Sequence, residues 1–417
     1  MVGEGKRFVD YGFTINKYLL PINKLLTPMI SEAITTLNIV GRFIFIIREE
    51  NGFVNTSLRN LLLSICPDCV ILSVDKLTDG AATSAYIAKD YIDNDDPLFI
   101  SNSDQILDYD FDRFYQTCIR YDGCVLTYTP DYPITIGSTD KHSFIKVDEN
   151  GYGVEVEEKI AVSNLAIVGL HYYKCGKYYI EAYKHIVENN IRAPNGEFYI
   201  SNTYQAMIKL RYKIGSCNLE QGEYFYPVGT PSDYFKYYNK HCPIIQSNAL
   251  LPRSISIINL EKDSSMILNN CLVKVVQGSI DNYFSIFTTG QNLQITASTA
   301  TTLFVVKYID KPYGEIDIGK YMRGWILGNF EPSLKKTSFE VGFLHHQKDE
   351  KWQYHYHKRA DEINILCKGK MIINDILFVQ GDMFVFSKNT ISCPIFLEDC
   401  DVICIKTISD KRDKYII

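Results

Sequence analysis

The first 128 residues alternate short, almost wholly apolar runs with segments of helical periodicity. The apolar runs are 43–47, 70–74, 97–101 and 123–128, and the helical segments are 55–65, 82–92 and 110–121. Strands that are apolar on both faces are typical of a buried parallel sheet. The alternation therefore predicts a doubly wound α/β domain. Further strands are expected at 154–158 and 165–173, and further helices at 176–190 and 201–211.

Beyond about residue 240 the pattern changes to short β-branched runs separated by Gly, Asn and Asp. The predicted strands are 272–276, 284–288, 293–296, 303–308, 339–344, 362–366, 370–373, 383–386 and 402–406. This rhythm is typical of an antiparallel sandwich or barrel. Segments 272–308 and 364–408 share one order of strands and glycine turns, which fits two tandem β-barrels or two unrelated β segments. We expect domains at 1–240, 241–321 and 322–417.

The composition of the chain is typical of a globular protein and disfavours several other classes of protein. Hydrophobic residues make up 46% and charged residues 22% of the 417 residues, a globular balance. No apolar run reaches the roughly 18 residues of a membrane span, and the net charge of −6 disfavours binding to nucleic acid. No secretory leader pattern is present, and the 12 cysteines are scattered, so we expect a cytoplasmic protein with reduced thiols. Cys66 and Cys69 lack the second pair that a zinc site needs.

Two glycines open the chain in the run Gly3-Glu4-Gly5-Lys6-Arg7, and Lys17 follows ten residues later. A glycine-rich turn lets backbone N–H groups approach a polyanion closely. Arg7 is suited to a forked contact with phosphate oxygens, and Lys17 adds a compact positive charge. The start of the chain therefore predicts a phosphate site.

These residues carry a resemblance to a known family. The runs GEGKRF and INKYLLPI resemble the signature of the sugar-1-phosphate nucleotidyltransferases, or NDP-sugar pyrophosphorylases. Other stretches resemble the family's motifs in the same order, namely LTDGAATS (77–84), SNSDQ (101–105), EEKIAVSNLAIVGLHYY (157–173), GEFYI (196–200) and GTPSD (229–233). The resemblance covers residues 1 to about 238. It implies a Rossmann-like sheet and an enzyme of NDP-sugar biosynthesis that uses Mg²⁺, a nucleoside triphosphate and a sugar 1-phosphate.

The resemblance also implies roles for individual residues. The catalytic residues would be Arg7, Lys17 and Asp104, with Asp104 also the Mg²⁺ ligand. The nucleotide would contact Gly3, Gly5, Gly80 and Ala81, and the sugar would contact Glu158, Lys159, Asn164 and Gly169. Asp104 also follows a predicted strand, at the edge where open α/β sheets bind ligands. The alternatives are a helix cap for Asp104, a surface ion pair for Glu158 and Lys159, and plain strand positions for Asn164 and Gly169.

Some positions depart from the family pattern. The family's first, central strand would precede the glycine loop, where this sequence begins, and a sheet without it would leave two neighbours unpaired. Asn16 stands where the family has Pro, and Pro227-Val228 stand where many relatives carry a second metal-binding Asp. Asn202 and Asp233 are candidate replacements. These departures favour the alternative of a non-catalytic scaffold that binds nucleotide or sugar.

A second group of candidate ligands lies in the run HYHKRADEINILCKG at 355–369. His355 and His357 would point to one face of a strand. With Glu362 and Gly369 they resemble the first motif of the cupins, over roughly 322–408. The resemblance implies a jelly-roll domain that binds or modifies a related sugar. His355, His357 and Glu362 would hold a divalent metal, act without metal as acid and base, or serve a structural or regulatory role.

Two further expectations concern the whole protein. If the cupin-like domain is the main enzyme, the protein would be an NDP-sugar isomerase or epimerase. The β-rich C-terminal domains are also candidates for pairing two subunits in a homodimer.

Overall fold

The structure is a computed structural model and describes residues 1–3, 5–49, 56–245, 251–281 and 285–417. The chain divides into two compact units. The first comprises Met1–Tyr11, Ile15–Ile22 and Thr27–Tyr237, and the second comprises Gly12–Thr14, Asn23–Leu26 and Tyr238–Ile417. The domain limits expected at residues 240 and 321 stay predictions. No helix in the described ranges is long and apolar enough to cross a membrane.

A mixed sheet forms the centre of the first unit. Its strands are, in order, Gly153–Ile160, Thr139–Val147, Ala166–Tyr173, Gly123–Tyr128 and Ile214–Asn218, with Leu98–Ser101 also paired to Ala166–Tyr173. Two smaller sheets pair Ile44–Arg48 with Val70–Val74, and Gln105–Asp108 with Tyr224–Pro227. The architecture is thus mixed α/β, with more strands than the sequence predicts.

The expectation of a parallel sheet is wrong for its central strands. Gly123–Tyr128 runs parallel to Ile214–Asn218 but antiparallel to Ala166–Tyr173. Leu98–Ser101 is also antiparallel to Ala166–Tyr173. An apolar run reports that both faces of a strand are covered, and it contains no information on the direction of the neighbouring strand.

Two strands of the first unit each pair on one side within the described residues. Ile44–Arg48 pairs with Val70–Val74, and Leu98–Ser101 pairs with Ala166–Tyr173. Both strands place side chains against one hydrophobic cluster around Val125, Tyr173 and Tyr204. They therefore border the same core without being neighbours in one sheet.

The first unit also contains several helices. In the first unit they are Lys6–Asp10, Met29–Thr35, Thr56–Ile65, Ala81–Tyr86, Lys89–Ile92, Phe111–Cys118, Gly176–Glu188 and Ile200–Lys209, with a 3₁₀ turn at Lys17–Leu19. Helix Pro231–His241 contains the boundary between the units. The segment 82–92, predicted as one helix, forms two short helices. Amphipathic spacing accounts for the longest of them, since Gly176–Glu188 buries Tyr179, Ile180 and Tyr183.

The second unit is rich in antiparallel strands. They are Ile255–Leu260, Ser265–Leu268, Leu272–Gln277, Ile286–Thr288, Leu293–Thr296, Thr301–Val306, Gly314–Glu315, Trp325–Leu327, Glu340–His346, His355–Tyr356, Glu362–Lys368, Lys370–Ile373, Ile376–Val379, Met383–Phe386, Pro394–Phe396, Cys400–Lys406 and Tyr415–Ile416. Two 3₁₀ turns lie at Ile318–Lys320 and Met322–Gly324.

These strands form open sheets. One five-stranded sheet has the order 255–260, 301–306, 272–277, 286–288, 314–315, and the other has the order 325–327, 340–346, 400–406, 362–368, 383–386. No sheet in the described ranges closes on itself, so the barrel expected from the sequence is not seen as such. One hydrophobic cluster contains Leu272 and Phe304 together with Val341, Ile363 and Ile405, so both five-stranded sheets contribute to a common core.

Candidate active site and candidate metal centre

A cavity of about 1190 Å³ lies in the first unit. The predicted site residues that line it are Gly3, Gly5, Arg7, Lys17, Gly80, Ala81 and Asp104. The tertiary structure thus brings together every residue assigned to catalysis or to the nucleotide. Arg7 is exposed at this cavity and forms no ion pair with another described residue. It is placed to meet an anion from solution.

Lys17 and Asp104 form the charged centre of the cavity. Lys17 Nζ lies 2.6 Å from Asp104 Oδ2. Burial opposes ionisation of both groups, but each charge stabilises the other, so the pKa of Asp104 is lowered and the pKa of Lys17 is raised. Both side chains are therefore charged at neutral pH. Asn16 explains one departure from the family pattern, because its side chain accepts a hydrogen bond from the Tyr18 N–H (3.0 Å) and caps the turn that carries Lys17.

Gly229 is a residue of this site to which sequence reasoning assigned no role. A Cβ atom at Gly229 would lie 2.8 Å from Asp104 Oδ2, and the adjacent Val228 N–H donates to the Asp104 carbonyl oxygen at 3.0 Å. The backbone at 228–229 thus packs directly on the aspartate. In the sequence, Gly229 belongs to the stretch GTPSD, which resembles a family motif but does not indicate a contact with Asp104.

Gly80 lies where two loops of the cavity are in close backbone contact. Its φ is +102°, and a Cβ atom there would lie 2.3 Å from the Phe198 carbonyl oxygen. The neighbouring Ala82 N–H donates to that oxygen at 3.0 Å, and the Phe198 N–H donates to the Asp79 carbonyl oxygen at 3.0 Å. The segments 77–84 and 196–200, far apart in sequence, therefore form one wall.

The residues predicted for the sugar do not themselves line the cavity. Lys159 reaches its wall through Tyr199, which does line it. The Lys159 ammonium donates to the Tyr199 hydroxyl at 3.0 Å and lies 4.7 Å from the centre of the Tyr199 ring. Tyr199 is a second residue whose role the sequence did not indicate, although it belongs to the stretch GEFYI.

Glu158 and Gly169 are engaged within the protein, and Asn164 is exposed. The Glu158 carboxylate accepts hydrogen bonds from Ser143 and from Ser201 (2.7 Å), and burial nevertheless raises its pKa. A Cβ atom at Gly169 would lie 2.1 Å from Asn102 Nδ2, and the Gly169 N–H donates to Gln105 Oε1 at 3.1 Å. Gly169 therefore allows the turn that presents Asp104 to approach the sheet.

The two candidates for a second Mg²⁺ ligand have local hydrogen-bond partners. Asn202 Oδ1 accepts from the Tyr199 N–H at 2.9 Å, and Asp233 Oδ2 accepts from the Thr230 hydroxyl at 2.7 Å. Both interactions stabilise the first turn of a helix. Asp104 lines the cavity and is a carboxylate that can hold a metal there, and Mg²⁺ commonly takes one or two carboxylates together with substrate phosphates.

A second group of ligands lies in the second unit. Within the described residues, His355, His357 and Glu362 are the one cluster of three or more metal-ligating side chains whose ligand atoms lie within 4.8 Å of one another. Strands His355–Tyr356 and Glu362–Lys368 carry two of them. Both histidines are buried, and the Glu362 side chain is 14% exposed. The ligand atoms therefore converge at a largely buried point.

The hydrogen bonds of the histidines orient the lone pairs. His355 Nδ1 contacts the Gln353 carbonyl oxygen at 3.1 Å, and His357 Nδ1 contacts the Asp413 carbonyl oxygen. A carbonyl oxygen only accepts, so each Nδ1 carries the proton and each Nε2 of the neutral ring carries a lone pair. His357 Nε2 is buried without a hydrogen-bond partner and lies 3.3 Å from Glu362 Oε2. Two facing lone pairs suit a cation between them.

The pKa shifts of His355 and Glu362 agree with a metal site. Burial and the nearby Lys414 lower the pKa of His355 to about 4. Burial opposes ionisation of Glu362, but neighbouring positive charge, including that of Lys406, outweighs it and holds the pKa of that carboxyl well below its ordinary value. Two imidazoles and one carboxylate form a ligand set typical of divalent metals with open coordination positions.

The fold and these sites define an α/β unit with a large cavity and a β-rich unit with a candidate metal centre. No protein-family model matches the chain, and no curated protein matches it. Solved structures similar to it cover its N-terminal part and are sugar-phosphate nucleotidyltransferases.

Three of these structures illustrate the similarity. A nucleoside-diphosphate-sugar pyrophosphorylase from Vibrio cholerae is 20% identical, has a TM-score of 0.47, and is matched over 57% of this chain and 98% of its own. A UDP-glucose pyrophosphorylase complexed with UDP-glucose is 18% identical, with a TM-score of 0.45 over 58% and 95% of the chains. An inositol-1-phosphate CTP transferase from T. maritima is 15% identical, with a TM-score of 0.44 over 57% and 92%.

Proposed function

We propose that the N-terminal domain, residues 1–240, transfers a nucleotidyl group from a nucleoside triphosphate to a sugar 1-phosphate and releases pyrophosphate. One observation carries the proposal. The Lys17–Asp104 pair, 2.6 Å apart, lies in the same cavity as Gly3, Gly5 and Gly80. A cation, a metal-ligating carboxylate and close backbone approach are the elements that binding and transfer of a phosphoryl group require.

The reaction forms one bond and breaks one bond. A phosphate oxygen of the sugar 1-phosphate attacks the α-phosphorus of the nucleotide, and the bond from the α-phosphorus to the bridging oxygen of the leaving pyrophosphate breaks. Arg7 and Lys17 bind phosphate oxygens and offset the negative charge that gathers there. Asp104 would hold Mg²⁺, which supplies further neutralisation of phosphate charge when bound.

The remaining predicted residues position the substrates. The wall formed by Gly80 and Ala81 would face the nucleotide, since both residues line the cavity. Lys159, held against the Tyr199 ring, would bind the phosphate of the sugar, and Glu158 with Asn164 and Gly169 would border the sugar. Holding both phosphates in line converts an encounter into a step within one complex.

The test is release of pyrophosphate in the presence of Mg²⁺, each common nucleoside triphosphate and a panel of sugar 1-phosphates. We expect one substrate pair to react, and Lys17→Ala and Asp104→Ala each to lower the rate by about 100-fold or more. Lys177→Ala is the matched control, because Lys177 pairs with Asp95 at 2.9 Å on the surface and does not line the cavity. Full turnover in Lys17→Ala and Asp104→Ala would reject these roles.

For the C-terminal part we propose a cupin-like domain, residues 322–417, that binds or modifies a related sugar. Residues 241–321 would form a degenerate β-rich, cupin-like domain beside it. The orphaned His357 Nε2 facing Glu362 supports a divalent metal at His355, His357 and Glu362. When bound, the metal would supply open coordination positions for an oxygen ligand.

A second candidate function is an NDP-sugar isomerase or epimerase that acts through this domain, and the buried His355 beside His357 favours it. Proton exchange into the sugar ring, followed by NMR, is the test. If neither reaction occurs, the protein is a scaffold that binds nucleotide or sugar. We further propose a cytoplasmic location and a homodimer paired through the β-rich domains.

A further inference from the structure

A three-stranded antiparallel sheet forms part of the surface of the second unit. Strand Lys370–Ile373 is its centre, and strands Ile376–Val379 and Pro394–Phe396 pair with the two sides of that strand. A two-residue turn at Asn374 and Asp375, both with positive φ, joins the first two strands. A turn of this kind sets the register of a hairpin, and the register decides which side chains share a face.

One face of this sheet belongs to a hydrophobic core. Met371 and Ile373 of the central strand are buried in that core, together with Phe378 and Phe396 of the outer strands. Side chains alternate between the two faces of a strand, so the residues between these four point to the opposite face. The aliphatic residues of the opposite face, called the aliphatic face below, are Ile372, Leu377, Val379, Ile395 and Leu397.

The aliphatic face is exposed to solvent. Leu377 is 55% exposed, Ile395 42%, Val379 39% and Leu397 37%. Leu377 and Ile395 lie on either side of Ile372, because both are its direct neighbours across the strands. Directly opposed side chains of an antiparallel pair have Cβ atoms about 4.5–5.5 Å apart. These side chains therefore form one continuous apolar patch.

The one cation on this face is paired within the chain. Lys370 lies between Val379, its neighbour across the strands, and Leu397, whose N–H donates to the Lys370 carbonyl oxygen at 2.9 Å. The Lys370 ammonium lies 3.1 Å from Glu398 Oε1. Because each charge offsets the other, the face does not carry a charge of one sign that would repel an identical face.

A second sheet of the same unit shows a more usual outward face. It pairs Ser265 with Thr296 and Ile267 with Gln294. The Ser265 and Thr296 hydroxyls are hydrogen-bonded at 2.8 Å, and Ile267 is 59% exposed. A single exposed aliphatic side chain on a polar face is common and needs no partner. Five aliphatic side chains on one face are a different case.

The size of the aliphatic face indicates what kind of contact it can make. Its exposed side chains present roughly 300 Å² of apolar surface, a size at which a patch on a soluble protein is often functional. Two copies joined here would bury about twice that area together with the polar rims, which is typical of a weak, concentration-dependent dimer. Sheets also pack well on sheets, because side chains from two flat faces interdigitate.

We propose that two copies of this chain associate through the aliphatic face, sheet against sheet. The inference rests on the homodimer proposed above and adds the surface that forms it. A two-fold dimer places the same patch of each copy in the interface, so that patch must tolerate its own charges. A continuous aliphatic patch whose one cation is already paired meets this condition, and it offers no unpaired charge to select a partner of opposite charge.

The test is the mass of the full chain in solution, measured by sedimentation equilibrium over a wide range of protein concentration. We expect monomers at low concentration and dimers at high concentration. Leu377→Glu and Ile395→Glu should each weaken association by about tenfold or more, since every dimer would then bury two carboxylates. Ile267→Glu is the matched control and should associate as the wild type does. A wild type that stays monomeric throughout, or association unchanged in both face variants, would overturn the proposal.

A charge swap separates loss of the surface from loss of folding. Lys370→Glu places two like charges beside each other on each face and should weaken association, more strongly at low salt than at high salt. Lys370→Glu combined with Glu398→Lys restores a neutral pair and should restore the dimer. Association that neither variant alters would contradict the proposal.

Pyrophosphate release is measured on the same samples, so the outcome for nucleotidyl transfer is independent of the outcome for this surface. Dimers without pyrophosphate release would reject the transferase and leave this inference standing. Dimers that persist in Leu377→Glu and Ile395→Glu would support the homodimer and reject this surface.

Discussion

Lys17 Nζ and Asp104 Oδ2 lie 2.6 Å apart although 87 residues separate them in sequence. The pair unites the glycine-rich start of the chain with the turn that follows strand Leu98–Ser101. Each charge stabilises the other against the cost of burial, so we expect the pair to contribute to the free energy of unfolding. That contribution can be measured separately from activity.

We expect Lys17→Met to lower the free energy of unfolding by about 1–3 kcal/mol, because it leaves the Asp104 carboxylate without its partner in a partly buried place. Asp104→Asn should cost a similar amount. The double variant should cost less than the sum of the two, which urea denaturation at neutral pH measures as a coupling energy. Strict additivity would mean that the pair contributes nothing to stability.

Gly80→Ala should destabilise the first unit by about 3 kcal/mol or more. A methyl group would meet the backbone oxygen of Phe198 at 2.3 Å, and backbone cannot move aside as a flexible side chain does. The control is Gly222→Ala, because Gly222 has a similar φ of +98° with no atom within 4 Å of its Cβ position. That variant should lose only about 1–2 kcal/mol, the cost of the left-handed conformation. Equal losses in both would exclude the steric explanation.

Acid should weaken the protein through His171. Burial lowers the pKa of His171 to about 3, whereas the unfolded chain has a value near 6.5. Between these values the unfolded state binds the proton and the folded state does not, so stability is present above pH 6.5 and is lost as the pH falls toward 3. From pH 6.5 to 5 the loss from this residue is about 2 kcal/mol.

The measurement compares wild type with His171→Phe, which retains an aromatic ring next to Tyr204. Urea unfolding at pH 7 and pH 5 should show a smaller loss for the variant by about 2 kcal/mol. The same pH dependence in both proteins would show that protonation of His171 does not cause the loss of stability.

Divalent metal should bind to the second unit through His355, His357 and Glu362. Co²⁺ is the probe, because its visible absorption reports ligands directly. His357→Ala should weaken Co²⁺ binding by about 100-fold or more, since it removes one of three protein ligands. His345→Ala is the matched control, because His345 is exposed and contacts Asp401 at 2.7 Å. Loss of binding in His345→Ala, or normal binding in His357→Ala, would contradict the assignment.

The local sequence alone determined several strands and the residue types of both candidate sites. The apolar runs at 43–47, 70–74 and 123–128 are strands, because continuous burial leaves a signature that needs no partner to be recognised. Glycines near the start and the His-x-His spacing identified the residues that converge in the two candidate sites. Their chemistry, phosphate contact and metal ligation, follows from residue type.

Only the tertiary structure decided the direction of neighbouring strands, the contacts of the site residues and the close approach of distant segments. It set the antiparallel pairing of Leu98–Ser101 with Ala166–Tyr173, since pairing depends on the register of distant strands. It placed Gly229 on Asp104 and Tyr199 under Lys159, contacts between segments that no local pattern relates. Burial and neighbouring charges, which set the pKa of Asp104 and of Glu362, exist only when the chain has folded.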